Sequence, residues 1–170
     1  YVELIGGSDG PALDSVRAAL NRGIPVVTAN KALLAHHGVQ LAKLAQRKNT
    51  TILFEAAVAG GIPIIKTMRE ALRGNGVTRV YGILNGTCNY MLTRMEREKL
   101  SFDECLKEAQ RLGYAEAEPS LDVDGHDAAQ KLVVLAMLAG GKSVWLWTAS
   151  DAAWDAAGCA RCLGNGMGSP

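Results

Sequence analysis

The chain has 170 residues, and its 18 basic against 17 acidic side chains give a formal net charge of +1 at pH 7. Because the Lys and Arg residues do not cluster, nothing in the charge pattern points to nucleic acid or a membrane surface as a partner. The longest apolar run, residues 132–139, is far too short to span a bilayer. A chain of this length can bury a core as one medium domain or as parts of two.

The opening residues and the cysteines bear on compartment. The chain opens on Tyr-Val-Glu-Leu-Ile-Gly-Gly, a strand pattern already under way and not a secretory signal, so we expect upstream sequence to be missing. The four cysteines are Cys88, Cys105, Cys159 and Cys162. Only the last two have metal or redox spacing, and neither a second pair nor a following His accompanies them. We therefore expect free thiols, no metal at the cysteines, and a cytoplasmic location.

The first 55 residues alternate strand and helix patterns. Strand-like runs occupy residues 1–6, 24–29 and 50–55, and apolar residues at helical spacing fill residues 12–22 and 31–47. Strands that alternate with helices at this spacing pair in parallel, so we predict an α/β layer.

Lys31 comes directly after the second predicted strand. Ligands of parallel sheets bind outside the carboxyl ends of the strands, but an exposed lysine in the first helical turn fits the position equally well. The Gly-x-Gly-x-x-Gly phosphate loop is absent from residues 1–141, because Gly6-Gly7-Ser8-Asp9-Gly10 lacks its spacing.

The middle of the chain has two loops of interest. The stretch 55–63, Glu-Ala-Ala-Val-Ala-Gly-Gly-Ile-Pro, has small residues that let the backbone approach another segment, a ligand or an ion, although a tight crossover also fits. After a predicted helix over 63–73 and a predicted strand over 77–84, Asn85-Gly86-Thr87 is expected to present N–H groups and Thr87 to a ligand ahead of a helix over 90–99.

A capping box, with Ser101 as N-cap and Glu104 three residues on, predicts the next helix, which ends near Leu112 and is capped by Gly113.

An acidic run follows, with Glu116, Glu118, Asp122, Asp124, Asp127 and Lys131. We predict an irregular loop up to Asp122 and then a helix with Asp124 as its N-cap. Asp127 and Lys131 would share one face of that helix. They form either an ordinary surface ion pair, worth at most about 1 kcal/mol, or a partly shielded lysine able to protonate a carbonyl oxygen.

Four segments together closely resemble homoserine dehydrogenase: Val-Val-Thr-Ala-Asn-Lys at 26–31, the loop 55–63, Asn-Gly-Thr at 85–87, and the run 116–131. The resemblance covers residues 1–141. It implies NAD(P)-dependent interconversion of L-homoserine and L-aspartate 4-semialdehyde, in the biosynthesis of threonine, methionine and isoleucine.

The resemblance also implies roles for single residues. Lys131 is the acid/base, and Asp127 orients it and raises its pKa against the lowering by burial. Glu116 and Asp122 hold the substrate's amino group, and Thr87 contacts the substrate. The remaining implied roles are cofactor contact at Lys31, with NADP or NAD, and a monovalent cation such as Na⁺ at Glu55 and the carbonyls of Val58, Gly60 and Ile62.

The predicted fold class is α/β, a partial Rossmann-type parallel sheet followed by an α+β substrate and dimerisation domain. Residues 1–55 form the C-terminal part of an NAD(P)-binding domain, residues 56–141 part of the catalytic domain, and residues 142–170 an unassigned tail. The family implies a homodimer. One alternative is a catalytically incomplete fragment that binds substrate or dimerises. Another is aspartate-semialdehyde dehydrogenase, which needs an acylating Cys with a His base, a setting that neither Cys88 nor Cys105 has.

Overall fold

The computed structural model of the chain describes residues 1–140. These form two compact units. The first comprises residues 1–80 and the described residues from 130 onward, and the second comprises residues 81–129. The tail predicted over 142–170, with two of the cysteines, lies outside the described residues. Within the described part, no helix is long and apolar enough to cross a membrane.

The first unit is built on a three-stranded parallel sheet with the order β1 (Val2–Glu3), β2 (Val26–Thr28) and β3 (Ile52–Leu53). The parallel α/β prediction is therefore confirmed, but the strands are much shorter than predicted. β1 ends early because the N–H groups of Ile5 and Gly6 donate to the Glu3 carboxylate and not to a neighbouring strand.

Two helices connect the strands. α1 (Pro11–Asn21) and α2 (Lys31–Arg47) agree with the predicted ranges and pack against each other. α1 buries Leu13, Val16 and Leu20 at helical spacing. α2 begins at Asn30, whose side chain accepts a hydrogen bond from the N–H of Leu33 at 3.0 Å. This cap sets the first turn of α2 at the carboxyl end of β2.

After β3 the chain makes a 3₁₀ turn (Glu55–Ala57) and one turn of α-helix, α3 (Ile64–Lys66), which continues as a π-helical turn (Thr67–Ala71). The predicted helix over 63–73 is thus helical but shorter and partly wound in wider turns. Ile65 and Met68 are its buried residues.

The strand predicted over residues 77–84 is wrong, since no ladder pairs these residues with any described strand. The side chains of Tyr81 and Ile83 are 80% and 74% exposed. Apolar alternation predicts which residues suit a strand, but a strand forms only where a neighbouring segment supplies hydrogen-bond partners.

The second unit is helical: α4 (Gly86–Glu98), α5 (Phe102–Arg111) and α6 (Ser120–Val123), followed by the first residues of α7 (His126–Leu138). α4 begins four residues before the predicted start at Tyr90, because Asn85 caps it. The buried core of the second unit is formed by Met91, Cys105, Ala109 and Ala115. The predicted capping box is confirmed: Ser101 N–H donates to Glu104 Oε2 at 2.9 Å.

Candidate active site

Asn85 lies at the centre of a polar cluster in the second unit. Its side-chain Nδ2 donates to Asp122 Oδ1 at 2.7 Å and to Asp127 Oδ2 at 3.0 Å. Its Oδ1 accepts a hydrogen bond from the backbone N–H of Cys88 at 2.8 Å. One amide therefore uses both of its N–H groups on two carboxylates and its oxygen on a helix terminus.

Local structure explains why these groups meet. Asn85 is extended and caps α4, Asp122 lies in the single turn of α6, and Asp127 is the second residue of α7. Between the two carboxylates Gly125 has φ +79, a left-handed conformation that glycine adopts at low cost. The Cys88 thiol donates to the Asp122 carbonyl at 3.2 Å, which is a second tie between α4 and α6.

The electrostatics of the cluster favour a cation. Asp127 is only 5% exposed, and Asp122 is half-buried. The Asn85 amide is neutral, so it orients the two carboxylates without cancelling their charge. Two carboxylates this close attract a positively charged group into a position beside them.

Thr87 and Glu116 lie in the same unit, at the surface. The expectation that Thr87 precedes the helix is wrong, because Thr87 is the second residue of α4. The Thr87 hydroxyl donates to the carbonyl of Tyr114 at 2.8 Å. The hydroxyl oxygen of Thr87 can still accept a hydrogen bond. The Gln110 amide donates to the Glu116 carbonyl at 3.0 Å, which fixes this backbone while the Glu116 side chain is exposed.

Asp127 and Lys131 are four residues apart on α7, as predicted, and leave the same side of that helix. Lys131 is half-buried. Asp124 is not the N-cap of α7. It ends α6, and the N–H of Ala129 donates to the Gly125 carbonyl at 2.9 Å, so α7 begins after Gly125.

In the first unit, Lys31 is the half-buried first residue of α2, at the carboxyl end of β2 as predicted. The preceding Asn30 is held by a buried network. The Glu3 carboxylate accepts from the Thr28 hydroxyl at 2.5 Å and from the Asn30 amide at 3.4 Å. The same amide donates to the Gly7 carbonyl at 2.7 Å, and Glu3 is 0% exposed.

The charge state of Glu3 follows from this network. Burial by itself raises the pKa of the Glu3 carboxyl, but the hydrogen bond from Thr28, two from backbone N–H groups and one from the Asn30 amide outweigh it. They hold that pKa below its ordinary value. Glu3 is therefore an ionised carboxylate that fixes the segment before Lys31.

The loop proposed for a cation is closed at its ends. Glu55 Oε2 accepts from the N–H of Lys66 at 2.9 Å, and the Ile62 carbonyl accepts from the N–H of Ile64 at 2.7 Å. Val58 is buried and Gly60 is exposed. The predicted ligands are all oxygen atoms, which is the donor set of a hard cation. In the described ranges no three His, Cys, Asp or Glu side chains group as a metal site.

Among the predicted site residues, Asp122 and Asp127 come together, and both bond to Asn85. Lys31 and the loop 55–63 belong to the first unit. Sequence reasoning missed the role of the Asn85 side chain, because it expected Asn85-Gly86-Thr87 to present backbone N–H groups and Thr87 to a ligand. It also missed Glu3, which it took as part of a short buried strand. A lone acid inside a buried strand pattern was the available signal for Glu3.

Two family models match the chain, homoserine dehydrogenase over residues 63–151 and the homoserine dehydrogenase NAD-binding domain over residues 2–55. The homoserine dehydrogenase of Neisseria gonorrhoeae is 49% identical over 140 residues, which are 82% of this chain and 32% of that protein. That of Pseudomonas aeruginosa is 51% identical, with the same shares covered.

Solved structures agree with this relationship. A homoserine dehydrogenase from Thiobacillus denitrificans matches with a TM-score of 0.78 and 52% identity, over 81% of this chain and 32% of that one. A hyperthermophilic archaeal homoserine dehydrogenase in complex with NADPH matches with a TM-score of 0.76 and 36% identity, over 81% of this chain and 42% of that one. The chain spans about a third of the length of the curated relatives it matches. Since one family model matches more than half of its residues, the chain belongs to the homoserine dehydrogenase family.

Proposed function

We propose that this chain supplies substrate-binding and acid/base residues for the NAD(P)-dependent interconversion of L-homoserine and L-aspartate 4-semialdehyde. The observation that carries the proposal is the pair of carboxylates around Asn85, with Lys131 one helical turn after Asp127, in a chain of this family. The two carboxylates offer a cation site, and Lys131, four residues after Asp127 on α7, offers a proton donor.

Substrate binding requires negatively charged or hydrogen-bond-accepting ligands for an ammonium group, because homoserine and the semialdehyde are zwitterions. Asp122 is the proposed ammonium ligand, and Glu116 is the second, on a loop whose backbone Gln110 holds. Thr87 has a hydroxyl oxygen free to accept from the same ammonium while its proton is used on the Tyr114 carbonyl. Charge-assisted hydrogen bonds of this type position small polar substrates well.

Proton transfer is the proposed task of Lys131. In reduction its Nζ gives a proton to the C4 oxygen of the semialdehyde, and in oxidation it takes the proton from the homoserine hydroxyl. Asp127, on the same side of α7, orients the Lys131 ammonium. When bound, the nicotinamide cofactor supplies or accepts the hydride.

Lys31 is the proposed contact for that cofactor, NADP or NAD. Its position at the carboxyl end of a parallel strand and at the start of a helix fits the edge at which such sheets bind nucleotides. One related structure is a complex with NADPH.

We also propose the monovalent cation at Glu55 and the carbonyls of Val58, Gly60 and Ile62. The test is activity of the full-length gene product in sodium chloride and in choline chloride at equal ionic strength. Glu55→Gln should raise the sodium concentration needed for half-maximal activity. Equal activity in both salts overturns this site.

The function itself is tested by following nicotinamide reduction with L-homoserine, using the full-length gene product and L-serine as the control substrate. Turnover with L-homoserine and none with L-serine supports the proposal. Uptake of L-homoserine without turnover supports instead the alternative of a binding or dimerisation module. Sedimentation equilibrium, run in parallel, tests the homodimer that the family implies.

Acylating chemistry of the aspartate-semialdehyde dehydrogenase kind has little support here. Cys105 is 0% exposed, and burial raises the pKa of its thiol. The Cys88 thiol donates to the Asp122 carbonyl. The Cys105 thiol is therefore not an activated nucleophile.

A further inference from the structure

We propose that Asn85 is a positioning residue that holds the Asp122 and Asp127 carboxylates at a fixed separation. It thereby joins the ammonium-binding end of the site to the proton-transfer end. The inference rests on the proposed function for the roles of the two carboxylates. The contacts within the cluster rest on the structure alone.

The orientation of the Asn85 amide is determined by its partners. Its oxygen faces the N–H of Cys88, which can only donate, and its nitrogen faces two carboxylate oxygens, which as ions can only accept. A flipped amide would set oxygen against two carboxylates and N–H against N–H. The observed orientation is therefore the one in which all three contacts are hydrogen bonds.

The amide has an electrostatic effect beyond its own bonds. Both carboxylate oxygens lie within 3.0 Å of one nitrogen, so two like charges lie next to the same amide group. Two N–H groups directed at them offset part of their repulsion. Without these donors, we expect Asp122 and Asp127 to move apart, because α6 is a single turn and the turn at Gly125 separates it from α7.

The capping role of Asn85 can be separated from this positioning role. The cap uses only the side-chain oxygen that accepts from Cys88 N–H, and Ser and Asp make the same cap. The positioning role uses only the two N–H groups. Asn85→Ser and Asn85→Asp therefore keep the helix terminus while they remove the two amide N–H donors. The Ser hydroxyl, on a shorter side chain, can serve at most one of the two carboxylates, and Asn85→Asp has no donor and adds a third negative charge.

The test is steady-state kinetics on the full-length gene product, with Asn21→Ser at the exposed end of α1 as the matched control. We expect Asn85→Ser to raise KM for L-homoserine and to lower kcat, each about tenfold, with little change in Tm. Asn85→Asp should be worse in both. Changes below threefold in both constants overturn the proposal, as does a loss that accompanies unfolding in Asn85→Ser.

Double-mutant cycles test whether Asn85 acts on KM through Asp122 and on kcat through Asp127. In an Asp122→Asn background, Asn85→Ser should no longer raise KM, and in an Asp127→Asn background it should no longer lower kcat. Strict additivity in both cycles contradicts the proposal.

Failure of the proposed function can be distinguished from failure of the positioning role, because in the first case the wild-type protein does not turn over L-homoserine. The side-chain carboxyl carbon resonances of Asp122 and Asp127 then carry the test. Both must shift in Asn85→Ser and neither in Asn21→Ser. If neither shifts in Asn85→Ser, the positioning role is overturned whatever the protein's substrate.

Discussion

The hydroxyl of Thr28 donates a hydrogen bond of 2.5 Å to the carboxylate of Glu3, which lies 25 residues earlier in the chain and is fully buried. The Thr28 oxygen also accepts from the N–H of Asn30 at 2.9 Å. This pair joins the ends of β1 and β2 and fixes the residue that caps α2. The position of Lys31 therefore depends on a carboxylate that has no contact with the proposed chemistry.

Replacement of Glu3 by Gln should destabilise the protein by about 2 kcal/mol at neutral pH, since it removes a charged acceptor from a buried network. The pKa of Glu3 is held below its ordinary value of 4.5, so its contribution is present above that pH and is lost as pH falls through the folded-state pKa. Urea unfolding at neutral and acidic pH measures both effects.

The exposed residue Glu70 supplies the control for this prediction. Glu70→Gln should leave the unfolding free energy within about 0.5 kcal/mol of wild type. The difference in unfolding free energy between wild type and Glu3→Gln should become smaller as the pH is lowered. A gap that stays constant down to acidic pH shows that ionisation of Glu3 is not what stabilises the fold.

Capping of α5 gives a second prediction. Ser101 Oγ accepts from the Glu104 N–H at 3.3 Å, while the Ser101 N–H donates to the Glu104 carboxylate at 2.9 Å. Ser101→Ala should lower the unfolding free energy by about 1 kcal/mol. Ser101→Thr keeps a hydroxyl acceptor at the cap and should retain most of the stability. Thermal unfolding of the three proteins decides, and equal losses in both variants would contradict the capping explanation.

Patterns that repeat along the chain were predicted well from sequence. The apolar spacing of α1 and the range of α2 match the structure, because a helix is stabilised mainly within its own turns and by one buried face. The Ser101 capping box was equally predictable, since both partners lie within three residues. Such features depend on neighbours that the sequence itself displays.

Features that depend on a distant partner were predicted poorly. The alternation at residues 77–84 resembles a strand but has no ladder partner among the described residues. The Asn85-Gly86-Thr87 segment was expected to present N–H groups and Thr87 to a ligand, whereas the Asn85 side chain contacts carboxylates 37 and 42 residues away. The roles proposed for Asp122 and Asp127 rest on the family resemblance, since no local sequence pattern places the two residues beside Asn85.

A third prediction concerns Glu116, whose side chain is exposed on a loop held by Gln110. Glu116→Ala should raise KM for L-homoserine by about tenfold with a smaller change in kcat, because it removes a ligand of the ammonium and leaves the proton donor in place. Glu96→Ala, at an exposed position on α4, is the control for removal of a glutamate and should leave KM unchanged. An unchanged KM in Glu116→Ala excludes the ammonium-binding role.

Lys131 carries the last prediction. Lys131→Ala should lower kcat by about a hundredfold or more, since it removes the proposed proton donor while Asp122 and Glu116 still hold the substrate. KM should change much less. Steady-state kinetics in both directions measure this effect, because the same group must give a proton in reduction and take one in oxidation.

Lys107→Ala, at an exposed position on α5, is the control for removal of a lysine and should keep full activity. Lys131→Arg keeps the charge but, because a guanidinium does not release its proton near neutral pH, it should recover binding without recovering turnover. A kcat within threefold of wild type in Lys131→Ala removes Lys131 from the chemistry. Recovery of kcat in Lys131→Arg would instead indicate a purely electrostatic role, in which the positive charge next to Asp127 stabilises the developing oxyanion without giving up a proton.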